Sequence, residues 1–166
     1  MVFEEIFNTH KERVFSLCFR YLQQEQEAED AVQEVFVKVF YKIDTFKAES
    51  QIGTWIYRIA INHCLDILKS KKRKQQILHF VSFLPFVTEN IGQTEEKLEE
   101  KEAYQQLQEK LHLLPEKQLT ALVLNKLEGF SIDQVAQIMN LSYKAVESLL
   151  QRGKQNLQKH LNNTKE

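Results

Sequence analysis

Only four glycines and two prolines punctuate the 166 residues of this chain. These two residues are the strongest breakers of regular structure, and a sheet-rich domain needs a supply of them at its turns. So few of them favour long helices and an all-α fold. The apolar residues repeat accordingly. Phe3, Phe7, His10, Val14, Leu17, Cys18, Tyr21 and Leu22 recur at helical spacing and predict a helix over 3–22. After the polar stretch QQEQE, a second helix is marked by Ala28, Ala31, Val32, Val35, Phe36, Val39, Phe40 and Ile43. Its first turns hold Glu27, Glu29, Asp30 and Glu34 while Lys38 and Lys42 lie near its end, an order that suits the helix dipole. The loop DTFKAESQIG then leads to a third helix with an apolar stripe of Trp55, Ile56, Ile59, Ala60, His63, Ile67 and Leu68.

The character changes over 76–101, where an apolar cluster, ILHFVSFLPFV, is followed by the acidic TENIGQTEEKLEEKE. The acidic half reads as a linker or fraying helix start, and the apolar half as a surface for a neighbouring domain or partner. Beyond it, residues 103–113 predict a helix that stops before Pro115, and 116–128 predict another ended by Gly129. Ser131 and Ser142 stand where they would cap two further helices across a tight Asn140-Leu141-Ser142 turn, a helix-turn-helix pattern. Val135, Ala136, Met139, Leu141, Val146 and Leu150 are its expected core. The chain therefore reads as two small helical domains, 1–76 and 102–166, joined by a linker over 77–101.

Hydrophobic residues make up 43% of the chain, enough to bury a core. Cys18 and Cys64 sit in apolar helical patterns and read as reduced core residues, because a disulfide framework needs more cysteines. No signal segment opens the sequence and no apolar run approaches the ~20 residues that span a bilayer, so a cytoplasmic protein is expected. The net charge of −1 conceals alternating blocks. Residues 1–50 carry 6 basic and 10 acidic side chains, 51–76 carry 6 and 1, 77–110 carry 3 and 7, and 111–166 carry 7 and 5. Solvated helix faces would account for any single charge. Blocks of this size fit separate partner surfaces, some polyanionic and some basic.

Three constellations could carry function. In GTWIYRIAINHCLDILKSKKRK, Arg58, Asn62, Asp66 and Lys69 fall on one helix face, and Lys71, Lys72, Arg73 and Lys74 extend the charge past the expected helix end. A basic surface beside aromatic rings suits single-stranded nucleic acid: cations meet phosphates and unstacked bases lie on rings. A buried Trp55 and a merely solvated KSKKRK tail would explain the same stretch. The second helix of the helix-turn-helix would face base edges in a major groove with Tyr143, Lys144, Glu147, Ser148 and Gln151, leaving Arg152 and Lys154 near phosphates. Plain packing is the competing explanation. Thirdly, Glu29, Asp30, Gln33 and Glu34 form a polar patch beside Phe36 and Val37 that is either solvated surface or a dock for a basic helical partner.

AEDAVQEVFVKVFYKIDTFK followed by GTWIYRIAINHCLDILKSKKRK resembles the second conserved region of bacterial sigma factors of the extracytoplasmic-function type. LPEKQLTALVLNKLEGFSIDQVAQIMNLSYKAVESLLQRGKQNLQKHL resembles their fourth region, and the two blocks come in the family's order over about three quarters of the chain. The resemblance implies a transcription initiation subunit that binds core RNA polymerase and carries it to promoter DNA. It assigns Asp30, Gln33 and Glu34, with neighbours Glu29, Phe36 and Val37, to the polymerase clamp helices. It assigns the loop from Asp44 to Gly53, with Trp55, Tyr57, Arg58 and Asn62, to the melted minus-ten element. Lys69, Lys71, Lys72, Arg73 and Lys74 would follow the strand's backbone. Ser142, Tyr143, Lys144, Glu147, Ser148, Gln151, Arg152 and Lys154 would meet the minus-thirty-five element, and that domain would touch the polymerase flap. Regulation by an anti-sigma partner is common in the family; no cofactor or metal is implied.

The chain departs from the family where Glu147 and Leu149 replace common cations, where Gly153 replaces a usual alanine, and in the apolar linker cluster from Phe80 to Val87. An enzyme would need a convergent set of reactive groups, yet the five histidines are scattered and no phosphate-cradling glycine loop is present. The nearer alternative is a stand-alone helix-turn-helix regulator, which would need neither the acidic patch nor the aromatic basic helix.

Overall fold

A computed structural model describes residues 3–47, 50–81 and 106–162. Helix α1 spans Phe3–Leu22, α2 spans Glu25–Lys42 and α3 spans Ile52–Val81, with a short 3-10 turn at Ile43–Thr45 between the last two. Among the described residues there is no strand. Helix α2 begins inside the stretch expected to be a connector, because the turn is made within two residues by Gln23, whose φ of 60° lies in the left-handed region. The three helices bury one stripe each: Val14, Leu17, Cys18 and Tyr21 from α1, Ala28, Ala31, Val35 and Val39 from α2, and Ile56, Ala60 and Cys64 from α3. Removing a Leu, Val or Ile side chain from water stabilises by about 1.5–3 kcal/mol, so this shared stripe holds the first unit together.

The buried face of α3 is rotated from the expected one. Tyr57, Ile61 and Leu65 are buried, whereas Trp55, Ile59, His63, Ile67 and Leu68 are only partly covered. Phe40 is 56% exposed although its spacing placed it inward. It lies at the edge of the stripe, where its ring meets Phe3 edge-on at 5.2 Å. Helix α3 also runs unbroken to Val81, through the boundary expected at 76 and past Lys71–Lys74, which therefore ride on a helix rather than trailing from one. Most of the apolar cluster from Phe80 to Val87, and the acidic stretch after it, lie outside the described residues.

In the second unit residues 106–112 are helical, α4, ending just before the expected 113, while 103–105 lie outside the described residues; chain reversal at Pro115 then leads to α5, Glu116–Leu122. α5 does not continue as a regular helix to 128. It widens into a π-helical turn over Val123–Leu127, closed by the Glu128 N–H donating to the Val123 carbonyl at 2.9 Å. Gly129, at φ 72°, then reverses the chain, and Asn125 Nδ2 holds the reversal by donating to the Phe130 carbonyl at 2.8 Å.

Helix α6, Ile132–Met139, starts with a reciprocal cap: Ser131 Oγ accepts from the Gln134 N–H and Gln134 Oε1 accepts from the Ser131 N–H. It ends at Asn140 in a left-handed conformation, and Ser142 Oγ then caps α7, Tyr143–Asn162, by accepting from the Ala145 N–H at 3.2 Å. Val135, Ile138, Val146 and Leu149 are the buried centre of this pair, with Ala136, Met139, Leu141 and Leu150 around them. Gly153 marks a close approach rather than a kink: a Cβ there would lie 3.0 Å from Leu122 Cδ1 and 3.4 Å from Gln118 Cβ.

The two units meet. α3 packs on α6, and the buried residues of both form one continuous apolar cluster from Ile6 to Val146. Tyr21 of α1, 1% exposed, donates from its hydroxyl to Thr120 Oγ1 of α5 at 3.0 Å. Cys18 and Cys64 are both free and buried in the first unit. The hydrogen bond between them, with burial, pushes the Cys64 thiol well above its ordinary range.

Candidate nucleic-acid interface

The front of α3 and the loop before it form a cleft of about 620 Å³ lined by Phe46, Lys47, Ser50, Gln51, Trp55 and Arg58 on one side and by Gln137 and Asn140 of α6 on the other. Trp55 is half-buried, its ring tilted 45° against Phe46 at 5.4 Å. Asn62, Asp66 and Lys69 continue the face exposed, one turn apart. Arg58 is engaged: its Nε donates to the Ile138 carbonyl at 3.0 Å and its Nη2 to the Gln137 carbonyl at 2.6 Å, both at the C-terminus of α6. Lys69 pairs with Glu116 at 3.2 Å, and Lys71 pairs with Glu27 of α2. Lys72 and Arg73 are exposed. The Lys74 side chain lies outside those described.

Tyr57 departs from the expected surface. It is 8% exposed, shares a 2.9 Å hydrogen bond with His10 Nδ1 and packs against Phe130 at 5.5 Å. Burial pushes its phenol above the ordinary range against the opposing Arg13 charge, and burial pushes His10 down, so both stay neutral. Gly53 lets this pair sit against the start of α3: a Cβ would come within 3.0 Å of His10 Cε1. In this arrangement Tyr57 contributes packing and presents no face to a ligand.

On α2, Glu29, Asp30, Gln33, Glu34 and Val37 are exposed along one side. Phe36 is not among them. At 3% exposure it lies inside, as its place in the apolar repeat of α2 implies, edge-on to Phe7 at 4.8 Å, while Phe40 and Tyr41 are the exposed aromatic rings of this helix. Glu34 approaches His63 Nε2 at 3.8 Å, and Lys38 Nζ donates to His63 Nδ1 at 2.6 Å. Burial, aided by the Lys38 charge, keeps this imidazole below its ordinary pKa despite Glu34 and Asp66.

The residues expected to face the duplex lie on α7 and its cap. Ser142, Tyr143, Lys144, Glu147, Gln151, Arg152 and Lys154 are exposed and Ser148 partly so. Leu149 points the other way and is 9% exposed. Its place in the core removes it from the set of lost cations, leaving Glu147 as the exposed one of the two substitutions.

Sequence comparison bears directly on these surfaces. Residues 6–74 match sigma-70 region 2 and residues 104–157 match sigma-70 region 4. The RNA polymerase sigma factor SigZ of Bacillus subtilis is 31% identical over 133 residues, spanning 80% of this chain and 72% of that protein. This chain belongs to the sigma-70 family of RNA polymerase sigma factors. The SigW sigma factor of Bacillus subtilis is 29% identical over 166 residues, 96% of this chain and 88% of that protein. In architecture the sigma factor is similar to RpoE of Bartonella quintana, solved in complex with the anti-sigma factor NepR, at a TM-score of 0.68 and 21% identity over 96% of each chain. It is also similar to CnrH, solved with the cytosolic domain of CnrY, at a TM-score of 0.69 and 21% identity over 97% of this chain and 88% of that one.

The residues that join region 2 to region 4 escaped sequence reasoning. Glu128 is the centre: its carboxylate accepts from Ser16 Oγ at 2.7 Å and Arg20 Nε at 3.3 Å, and its carbonyl accepts from Arg13 Nη2. The Arg13 guanidinium also stacks on the Phe130 ring at 4.1 Å. Arg13, Ser16 and Arg20 lie in none of the quoted blocks. The available signal was the EGF turn, an acid and an aromatic flanking a glycine directly before the helix-turn-helix. No helix among the described residues is long and apolar enough to cross a membrane.

Proposed function

We propose that this chain binds core RNA polymerase, carries it to promoters and opens the DNA there, acting as an initiation subunit and not as an enzyme itself. The observation that carries the reading is that region 2 and region 4 lie in one chain, the first with an aromatic-basic cleft and the second with an exposed helix-turn-helix face. Phe46 and Trp55 would receive an unstacked base of the minus-ten element, Arg58, Asn62 and Lys69 its flanking phosphates, and Lys72 and Arg73 the strand beyond. Tyr143, Lys144, Glu147 and Gln151 would read the minus-thirty-five duplex while Arg152 and Lys154 hold its backbone. The α2 face from Glu29 to Val37, extended by Phe40 and Tyr41, would dock on a basic helical surface of the polymerase. Acting on chromosomal DNA, it would work in the cytoplasm.

A stand-alone regulator accounts for α7 but leaves the cleft and the α2 face without purpose. The similarity to RpoE, solved with an anti-sigma factor, supports an inhibitory partner for this chain as well. The test is retention on immobilised core polymerase. The wild-type chain is retained, and Asp30→Lys with Glu34→Lys lowers affinity by about tenfold or more, since like charges facing each other across an interface cost several kcal/mol. Equal retention of both chains removes the α2 assignment, and retention of neither removes the function.

A further inference from the structure

We propose that region 4 masks the single-strand cleft of region 2 from within the same chain, by offering its cations the acceptors that DNA phosphates would offer. The inference rests on the assignment of Trp55 and Arg58 to single-strand capture. The last carbonyls of a helix lack intrahelical donors, and the helix C-terminus carries partial negative charge. α6 directs those carbonyls, at Gln137 and Ile138, onto Arg58, and it walls the cleft with Gln137 and Asn140. On α5, the Glu116 carboxylate pairs with Lys69 at 3.2 Å. Two of the cations assigned to the melted strand are thus held by region 4, and α6 forms the wall of the cleft that Trp55 lines.

The hold is anchored away from the cleft. Glu128 ties the end of α5 to Ser16, Arg20 and Arg13 of α1, and Arg13 covers Phe130. These contacts do not involve the residues assigned to DNA, so the anchor can be cut without touching the cleft. The reading face of α7 meanwhile stays exposed. The closed chain is therefore competent for duplex and masked for single strand. It must open before the second can bind, and its apparent affinity for single strand is lowered by the fraction of time it is closed.

The experiment compares the free wild-type chain with Glu128→Ala and Arg13→Ala, each checked for helical content. Compactness is read by small-angle scattering, and binding by anisotropy of a fluorescent single-stranded oligonucleotide pool and of a duplex pool. Both variants are expected to expand and to bind single strand about tenfold more tightly, with duplex affinity changed by about twofold or less. The pair controls for charge. Losing an acid raises general DNA affinity and losing a cation lowers it, so a single-strand gain in Arg13→Ala runs against the electrostatic trend. Unchanged compactness in both variants overturns the latch. Expansion without a single-strand gain, in chains whose weak binding is abolished by Trp55→Ala, overturns the masking and leaves the capture assignment standing. Expansion with single-strand binding that Trp55→Ala does not alter overturns the capture assignment and the masking together.

Discussion

The hydrogen bond from Tyr21 to Thr120 allows the contact between the two regions to be weighed in solution. Both side chains are buried, at 1% and 4% exposure, and their oxygens are 3.0 Å apart. A typical internal hydrogen bond contributes about 1 kcal/mol net, whereas a buried polar group left without its partner costs about 1–3 kcal/mol. Tyr21→Phe keeps the ring and strands the Thr120 hydroxyl, so it should destabilise by about 1–2 kcal/mol. Thr120→Val keeps the volume and strands the Tyr21 hydroxyl, with a loss of similar size. The double variant strands neither group, so it should be more stable than the sum of the singles predicts, with a coupling of about 1 kcal/mol. Urea unfolding followed by helical signal supplies the midpoints and slopes. If region 4 swung free of region 2, both hydroxyls would be hydrated and the effects would add within about 0.3–0.5 kcal/mol. Such additivity would refute the closed arrangement.

Trp55→Ala should weaken single-strand binding by roughly 5- to 150-fold, the equivalent of about 1–3 kcal/mol for one stacked base, while leaving duplex binding intact; equal loss on both substrates would contradict its place in the cleft. Glu147→Lys should shift the base preference of the distal element and steepen the salt dependence of duplex binding by about 0.9 in log–log slope, and an unchanged preference and slope would remove Glu147 from the reading face. Burial pushes His10, His63 and His112 below the ordinary histidine pKa of 6.5, so the folded chain binds fewer protons than the unfolded chain between the depressed values and 6.5. Their contribution to stability is fully present above 6.5 and is lost as the pH falls through the depressed values. The urea midpoint should therefore drop between pH 7.5 and pH 5.5, and a constant or rising midpoint would show these rings exposed in solution.

Much of the helical order was legible because it rests on local chemistry. Ser131, Gln134 and Ser142 announce helix starts, Pro115 and Gly129 announce stops, and the apolar spacing of α1 is explicit. The errors arise where tertiary packing overrides periodicity. Tyr57 looks like a surface aromatic beside charged neighbours, yet its partners His10 and Phe130 come from distant segments. Leu149 looked like a replaced cation because motif position says nothing about which way a helix is turned in its core. The joint around Glu128 was illegible for a related reason. Its partners Arg13, Ser16 and Arg20 lie more than a hundred residues away, and no spacing rule connects them.

The central claim is that one chain directs polymerase by gripping it through α2 while two regions hold different stretches of one promoter. Run-off transcription with purified core polymerase on a promoter library tests this most directly. The account predicts transcripts from defined start sites that depend on the added chain and share paired upstream elements. Core polymerase that starts at no defined site in its presence would contradict it.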